Sequence, residues 1–368
     1  MPQLSDLSRI PRRWLLLGLL LLALGAAAWI TRHRWNKPDP LLATPTLALE
    51  SLQATSLYFN NVARSPLLDQ RRELLTPEDL DAESPRARGF TQAVQNPKWF
   101  RQLDRKYRFD ALLLSGDPSQ FKPLLDHLVE TKDWRLHYAD HTSLVFRRDK
   151  TRDWELSDFA PVRGRLAKLS AYDRATALAW TATKLIAAGY PKPAHQLLEE
   201  AVKLSPRNPD AANGLAIYHM GRAEWREATE QVERALATDS DFLPALATKA
   251  QLLYGTKRFS EAYDISRQLI VRIPPDPVRL FNHAKIAHEA HAYEAEIEAL
   301  EKLIIWAEFE GWQFGGYQVY LGQAYASIGD AQRSIDAFML ALNDPDLPND
   351  QRQFVRENIM RIKKRTGL

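Results

Sequence analysis

Apolar and small side chains recur every three or four positions through residues 151–347, the spacing of one face of a helix. In the stretch from Gly316 to Asp346, Leu321, Gly322 and Tyr325 share one face of a first segment. A Gly329-Asp330 turn follows, and Ser334, Phe338 and Ala341 share one face of a second segment. Upstream, Ala194, Leu198, Ala201 and Pro206 form a similar second-segment pattern. It returns 34 residues later as Ala228, Val232, Ala235 and Ser240, and after another 34 as Ala262, Ser266, Leu269 and Pro274. The first segments keep step, with Ala182, Ala216 and Ala250 at a small site where two helices would cross. A fourth unit starts near Pro277 with Ala284 at that site; its second segment is looser, with Glu296, Leu300 and Leu303 in phase and Ala295 one residue early. From Glu296 to Ser334 is 38 residues, so extra residues fall near Trp306 to Phe314. Beyond the last pair, Pro348 to about Lys364 predicts a closing helix with Val355, Ile359 and Ile362 on one face.

This succession resembles the tetratricopeptide repeat, in which small and bulky residues occupy the same offsets. The resemblance implies an α-solenoid of helix pairs, because one pair cannot bury its apolar face without neighbours. It also implies that first helices line a concave face. Stepping by the repeat places Asn213 and Ile217, then Gln251 and Tyr254, then Phe281, Lys285 and His288, then Gln323 on that face. Repeat grooves that hold a terminal carboxylate present several lysines, arginines and asparagines; this one has Asn213 and Lys285 and little else basic. Its mixture of amide, aromatic and aliphatic groups suits an extended peptide or a helix from a protein partner. The chain's own middle segment is the competing occupant.

The hydropathy pattern changes toward the amino terminus. Trp14 to Ile30 is uncharged, and at helical rise it spans ~26 Å, the short end for a bilayer crossing. Trp14 and Trp29 sit at its ends, where interfacial aromatics belong. Arg9, Arg12 and Arg13 precede it, and Arg32, Arg34 and Lys37 follow, so the charge bias toward a cytoplasmic amino terminus is thin. A cleaved signal is the rival, because Ala26-Ala27-Ala28 offers a small-x-small site. Pro38, Pro40 and Pro45 then make a stiff spacer.

Between about Ala48 and Lys150 the pattern predicts a small α/β module. Ala111 to Ser115 reads as a buried strand, Gln120 to Thr131 as an amphipathic helix, and Pro97 to Lys106 as a helix opened by its proline. Trp134 to Tyr138 and Ser143 to Phe146 alternate as a hairpin around Ala139 to Thr142. Thr55 to Phe59 and Pro66 to Asp69 are further strand candidates. The order of Pro66-Leu-Leu-Asp69 with Arg71, Arg72 and Glu73, then Tyr107 to Leu114, then Trp134 to Asp140 and Arg147 has a family echo. It is similar to the soluble carboxyl-terminal domain of bacterial multi-spanning mannosyltransferase-type glycosyltransferases. That resemblance implies an envelope-facing accessory module and possible glycan-assembly partners. It carries over no catalytic residue, because a single hydrophobic span cannot supply the membrane helices that build those active sites.

Chemistry is sparse. Asp69, Arg71, Arg72 and Glu73 could serve acid–base work or form an ion-paired turn. Asp140-His141 has two members of a triad without a nucleophile. His283, His288 and His291 lie close in sequence, and His288 and His291 share a helix face, a weak metal pair set against ordinary polar packing. No phosphate loop, zinc-protease motif or lipase elbow is present. With no cysteine there is no disulfide, thiolate metal site or cysteine nucleophile. No catalytic, metal or cofactor site is therefore expected. A net charge of +3 gives no global field for nucleic acid. Charge is local: residues 351–368 carry Arg352, Arg356, Arg361, Lys363, Lys364 and Arg365 against Glu357 alone. These cations oppose a helix dipole, or face an anionic lipid or acidic partner.

The reading is thus an α-solenoid of tetratricopeptide helix pairs, preceded by a small α/β module and one amino-terminal transmembrane helix. Its parts are a cytoplasmic tail (1–13), a transmembrane helix (14–31), a proline-containing linker (32–47), the module (48–150), the array (151–347) and a basic capping helix (348–368). The expected role is a non-enzymatic protein-binding scaffold, single-pass in the bacterial inner membrane with most of the chain in the periplasm. The alternative is an accessory or glycan-binding subunit of an envelope polysaccharide or glycosyl-transfer system.

Overall fold

The computed structural model describes residues 57–59, 93–94, 96–131, 133–148, 154–273, 276–309, 314–345 and 347–367. The hydrophobic segment 14–31, the strand candidate Pro66 to Asp69 and the Asp69–Glu73 charge cluster lie outside the described residues. Among the described residues, no helix is long and apolar enough to cross a membrane.

The module is a four-stranded sheet, β1 (Leu57–Phe59), β2 (Ala111–Ser115), β3 (Arg135–Ala139) and β4 (Ser143–Arg147), in the order β1-β2-β4-β3. β1 and β2 run parallel and the other pairs antiparallel, with Leu112 opposite Phe146. β1 is shorter than the run from Thr55, and β3 begins and ends one residue later than the alternation suggests, with an irregularity between Leu136 and Tyr138. Helix α1 (Pro97–Tyr107) starts where Asn96 accepts the Lys98 N–H and Pro97 fixes the first turn. The helix expected from Gln120 is instead a 3₁₀ turn (Pro118–Phe121) leading into α2 (Lys122–Thr131). Asp117 caps that turn through the Ser119 N–H, and Pro118 sets its first torsion. Leu124, Leu125 and Leu128 of α2 are buried, as are Phe100 and the apolar β2 residues. Phe100 meets the rings of Phe109, His127 and Trp134, and Arg148 stacks on Trp134 while bonding both Asp104 oxygens.

After a second 3₁₀ turn (Leu156–Phe159) and the short α3 (Ala160–Leu166), five helix pairs follow. They are α4 (Ala171–Ala187) with α5 (Pro191–Leu204), α6 (Pro209–Gly221) with α7 (Trp225–Thr238), and α8 (Leu243–Gly255) with α9 (Phe259–Arg272). Then come α10 (Pro277–Glu289) with α11 (Tyr293–Phe309), and α12 (Gly315–Ser327) with α13 (Ala331–Asn343). Each pair packs on itself and on the next, and α6 packs on α4 and α8 on α6, so first helices build one side of a solenoid. The small residues Ala182, Ala216, Ala250 and Ala284 of the first helices and Ala194, Ala228 and Ala262 of the second are buried, with Ala216 and Ala228 in one core cluster and Ala250 and Ala262 in another. In the fifth pair a Cβ on Gly322 would lie 2.6 Å from Phe338 Cδ1, and the Ser334 hydroxyl donates to the Gly322 carbonyl at 2.7 Å. Only glycine permits that approach.

The turn within each pair needs one residue with positive φ. Gly189 and Gly329 supply it without steric cost, whereas Ala223, Lys257 and His291 adopt φ of 57°, 62° and 57°. The fourth pair departs from the pattern in two ways. Its α11 has 17 residues where α5, α7 and α9 have 14, which takes up part of the break in period. Glu296 occupies the place held by alanine in the preceding pairs and is almost wholly buried.

The two ends of the array are closed differently. At the first end the module's 3₁₀ turn and β3 pack on α4, whose residues Ala175 to Ala179 are all buried. Lys184 of α4 points into this joint and donates to the Gly116 carbonyl. The middle module therefore sits on the first helix of the array. At the far end α14 (Asn349–Thr366) lays Val355, Ile359 and Ile362 on a cluster of Val319, Phe338, Ala341 and Leu347. Arg352 holds this cap by donating to the carbonyls of Leu342, Asp344 and Leu347.

Candidate functional site

The first helices of the third, fourth and fifth pairs bring five side chains together. Lys285 Nζ lies 5.7 Å from the Tyr254 ring centroid and 5.8 Å from that of Phe281, within cation–π range. Phe281 meets Tyr317 at 5.4 Å and Tyr320 edge-on at 5.3 Å. Tyr254 also meets Phe259 at 5.5 Å. Three consecutive repeats thus share one aromatic surface with a cation over it. Lys285 is exposed, Tyr320 is 41% exposed, and Tyr254, Phe281 and Tyr317 are half-buried. Burial raises the Tyr254 phenol, with Glu289 and Tyr320 adding to the rise, and burial alone raises Tyr317. Both hydroxyls are donors at neutral pH.

Of the residues placed on this side by the repeat, Tyr254, Phe281 and Lys285 converge. Gln251 is exposed one turn before Tyr254, and Ile217 and Gln323 are half-buried on α6 and α12. Asn213 lies beneath the surface, and its Oδ1 is buried without a hydrogen-bond partner among the described residues. His288 is committed to its own chain, with Nδ1 2.9 Å from Glu296 Oε2. Burial pushes the Glu296 carboxyl up, and the His288 contact opposes this. Phe281 also packs against the core formed by Leu280, Leu300 and Tyr325, so it is the floor of the surface and not a free side chain.

The remaining candidate chemistry resolves into structural roles. His283 pairs with Ser266 at 2.8 Å, and His291 Nδ1 with the Tyr293 hydroxyl at 2.8 Å, so the three histidines have separate partners. Among the described residues no group of three or more histidines and carboxylates is placed to hold a metal. Asp140 is buried in the hairpin turn, where it accepts from the N–H groups of Thr142 and Ser143 and the hydroxyls of Tyr138 and Thr142. It is a turn-former, with its acceptor capacity spent.

The fold is a solenoid of tetratricopeptide-type helix pairs. No family model and no curated protein matches the sequence. Among solved structures, the chain is similar to MamA from Desulfovibrio magneticus RS-1, at 16% identity and a TM-score of 0.38 over 44% of this chain and 89% of that one. It is similar to PilF of Pseudomonas aeruginosa at 17% identity and a TM-score of 0.42, over 53% and 91% of the two chains. YrrB, described as a TPR protein with an unusual peptide-binding site, is similar at 12% identity and a TM-score of 0.43, over 55% and 100%. The architecture of this chain stands on its own geometry.

Tyr317 and Tyr320 were outside the set found by stepping through the sequence. They precede the crossing residue Gly322 at offsets other than those that placed Gln323 on the same helix, and they reach back to Phe281 of the preceding repeat. The available signal was their spacing of three on α12, the first helix of the pair after the one that carries Phe281.

Proposed function

We propose that the protein is a non-enzymatic scaffold that binds an extended segment of a partner protein across the first helices of its repeats. What supports the reading is the convergence of Tyr254, Phe281, Lys285, Tyr317 and Tyr320 from three repeats on one partly exposed surface. Aromatic residues beside a cation are enriched among those that dominate binding energy. The sequence of segment 14–31 further supports anchoring in the bacterial inner membrane, with the array in the periplasm. The glycan-handling alternative rests on the module's sequence resemblance, and nothing in the described surface favours it.

A photo-crosslinking amino acid at Tyr320, in the full chain expressed in cells, tests the binding surface. A discrete adduct is expected there and not at Tyr172, which is exposed on α4 at the array's first end. Adducts at Tyr172 but none at Tyr320 would move the site elsewhere. A phosphatase reporter fused after Leu368 should be active; activity of a cytoplasmic reporter alone, or a mature chain beginning at Trp29, would overturn the anchored topology.

A further inference from the structure

The aromatic surface carries a charge preference. Neighbouring cations close ion pairs within the chain: Lys249 with Glu233 at 2.7 Å, Arg279 with Asp276 at 2.8 Å, Lys302 with Glu298 at 2.6 Å and Arg333 with Asp330 at 2.6 Å. Lys285 is exposed between two rings and has no ion pair among the described residues. Glu289, one turn along α10, is the acid nearest in sequence; it acts on the Tyr254 phenol and lies beyond ion-pair distance of Lys285. The phenols of Tyr254, Tyr317 and Tyr320 also lack hydrogen-bond partners among the described residues, whereas the Tyr325 hydroxyl donates to Glu301. The surface therefore offers an ammonium and three hydroxyl donors beside an apolar floor, and no acceptor among the described residues satisfies them. A ligand that completes it brings acceptors, and an anionic one is preferred because hydrogen bonds to a charged group are the stronger kind.

The position of Lys285 says which anion. Gln251 lies on the repeat before it and Gln323 on the repeat after it, so amide-bearing positions continue on both sides. An extended segment crossing here runs past the cation in both directions. A chain end would stop at it and leave the amide-bearing positions on one side unused. We infer that this surface selects an internal peptide segment carrying an aspartate or glutamate next to an aromatic or aliphatic residue, the carboxylate meeting Lys285 and the apolar side chain lying on Phe281 and Tyr320. The inference rests on the peptide-binding reading above and gives that reading a partner chemistry.

The test is a selection of random nine-residue peptides displayed on phage, against the immobilised full chain in detergent. Wild type, Lys285→Glu and Tyr320→Ala are run in parallel, each first shown to keep wild-type helicity and thermal unfolding. Wild type should enrich an acidic residue adjacent to an apolar one, and Lys285→Glu should exchange the acidic preference for a basic one. A synthetic consensus peptide should lose about tenfold or more in affinity when its carboxylate is changed to the amide. Amidating its carboxyl terminus should change nothing. Peptides that lose binding in Tyr320→Ala yet show no acidic preference would leave the groove reading standing and overturn this one. Sensitivity to terminal amidation alone would overturn it in favour of a chain-end ligand. Retention of no peptide at all, with self-association lost in Lys285→Glu, would overturn both in favour of a second copy of the chain.

Discussion

The fifth helix pair offers a direct test of the crossing geometry. At Gly322 an added Cβ would meet Phe338 Cδ1 and Cε1 at 2.6 Å and Cγ at 2.9 Å, closer than real side chains tolerate. Phe338 is 1% exposed and is boxed in by Val319, Leu347 and Val355, so its ring cannot swing clear. The bond from Ser334 Oγ to the Gly322 carbonyl pins the two backbones together at the same point. Gly322→Val therefore forces the helices apart, and overpacking of this kind costs ~1–3 kcal/mol. Removing a helix-interior glycine returns up to ~1 kcal/mol of propensity, less for a β-branched residue, so the net remains a loss. For an array of this size each kcal/mol lowers Tm by ~2–4 °C. The assay is thermal unfolding by circular dichroism, with amide exchange across α12 to α14. Loss should be greatest there and should reach α11, because neighbours share their interfaces. Phe338→Leu in the Gly322→Val background should recover roughly 1 kcal/mol relative to the sum of the single changes. Unchanged unfolding in Gly322→Val, or strict additivity with Phe338→Leu, would refute the crossing contact.

Ala223→Gly and Lys257→Gly should each stabilise by ~0.5–1 kcal/mol in denaturant titration, because both residues hold positive φ; destabilisation would mean the turns relax some other way. His291→Gly should gain less, since it also removes the contact to Tyr293. Burial lowers Lys184 to about 8, against the opposing pull of Asp117 and Asp140. The unfolded chain, with its lysine near 10.5, then binds more protons between about pH 8 and 10.5, so stability contributed by this group rises across that window. The difference in Tm between wild type and Lys184→Met should move in favour of wild type as pH increases from 8 to 10, and a flat difference would remove the buried ammonium from the joint.

The helix pairs were legible because their cause is local. A small residue must recur wherever two helices cross, so a period of 34 residues shows in the alanines alone. β2 was legible because its Ala-Leu-Leu-Leu run is too short for a buried helix and long enough for a buried strand. What could not be read depended on partners remote in sequence. Glu296 at an alanine site looked like a blurred repeat, yet its carboxylate is held by His288 from the other helix of the pair. Lys184 is buried only because the module packs on its helix and supplies the Gly116 carbonyl to its ammonium, a contact 68 residues away in sequence. In the binding surface, repeat counting reached Tyr254, Phe281 and Lys285. It missed Tyr317 and Tyr320, because they precede the crossing residue Gly322 at offsets that the other groove positions do not share. It also placed Asn213 on a surface from which it is withdrawn.

The unlike closures of the array bear on how many copies of the chain can join. A stack of similar helix pairs presents, at each end, a face that fits the opposite end of another copy, and such head-to-tail contacts do not close on themselves. Here one end face is taken by a β-sheet module and the other by α14, neither of which reproduces a repeat. Both end faces of the array are thereby covered from within the same chain, which disfavours stacking of one array on the bare end of another. Lys184 and Arg352 are the side chains that hydrogen-bond these two closures to the array or its end. A chain that lost either cap would uncover apolar residues shaped to receive the end of another such array.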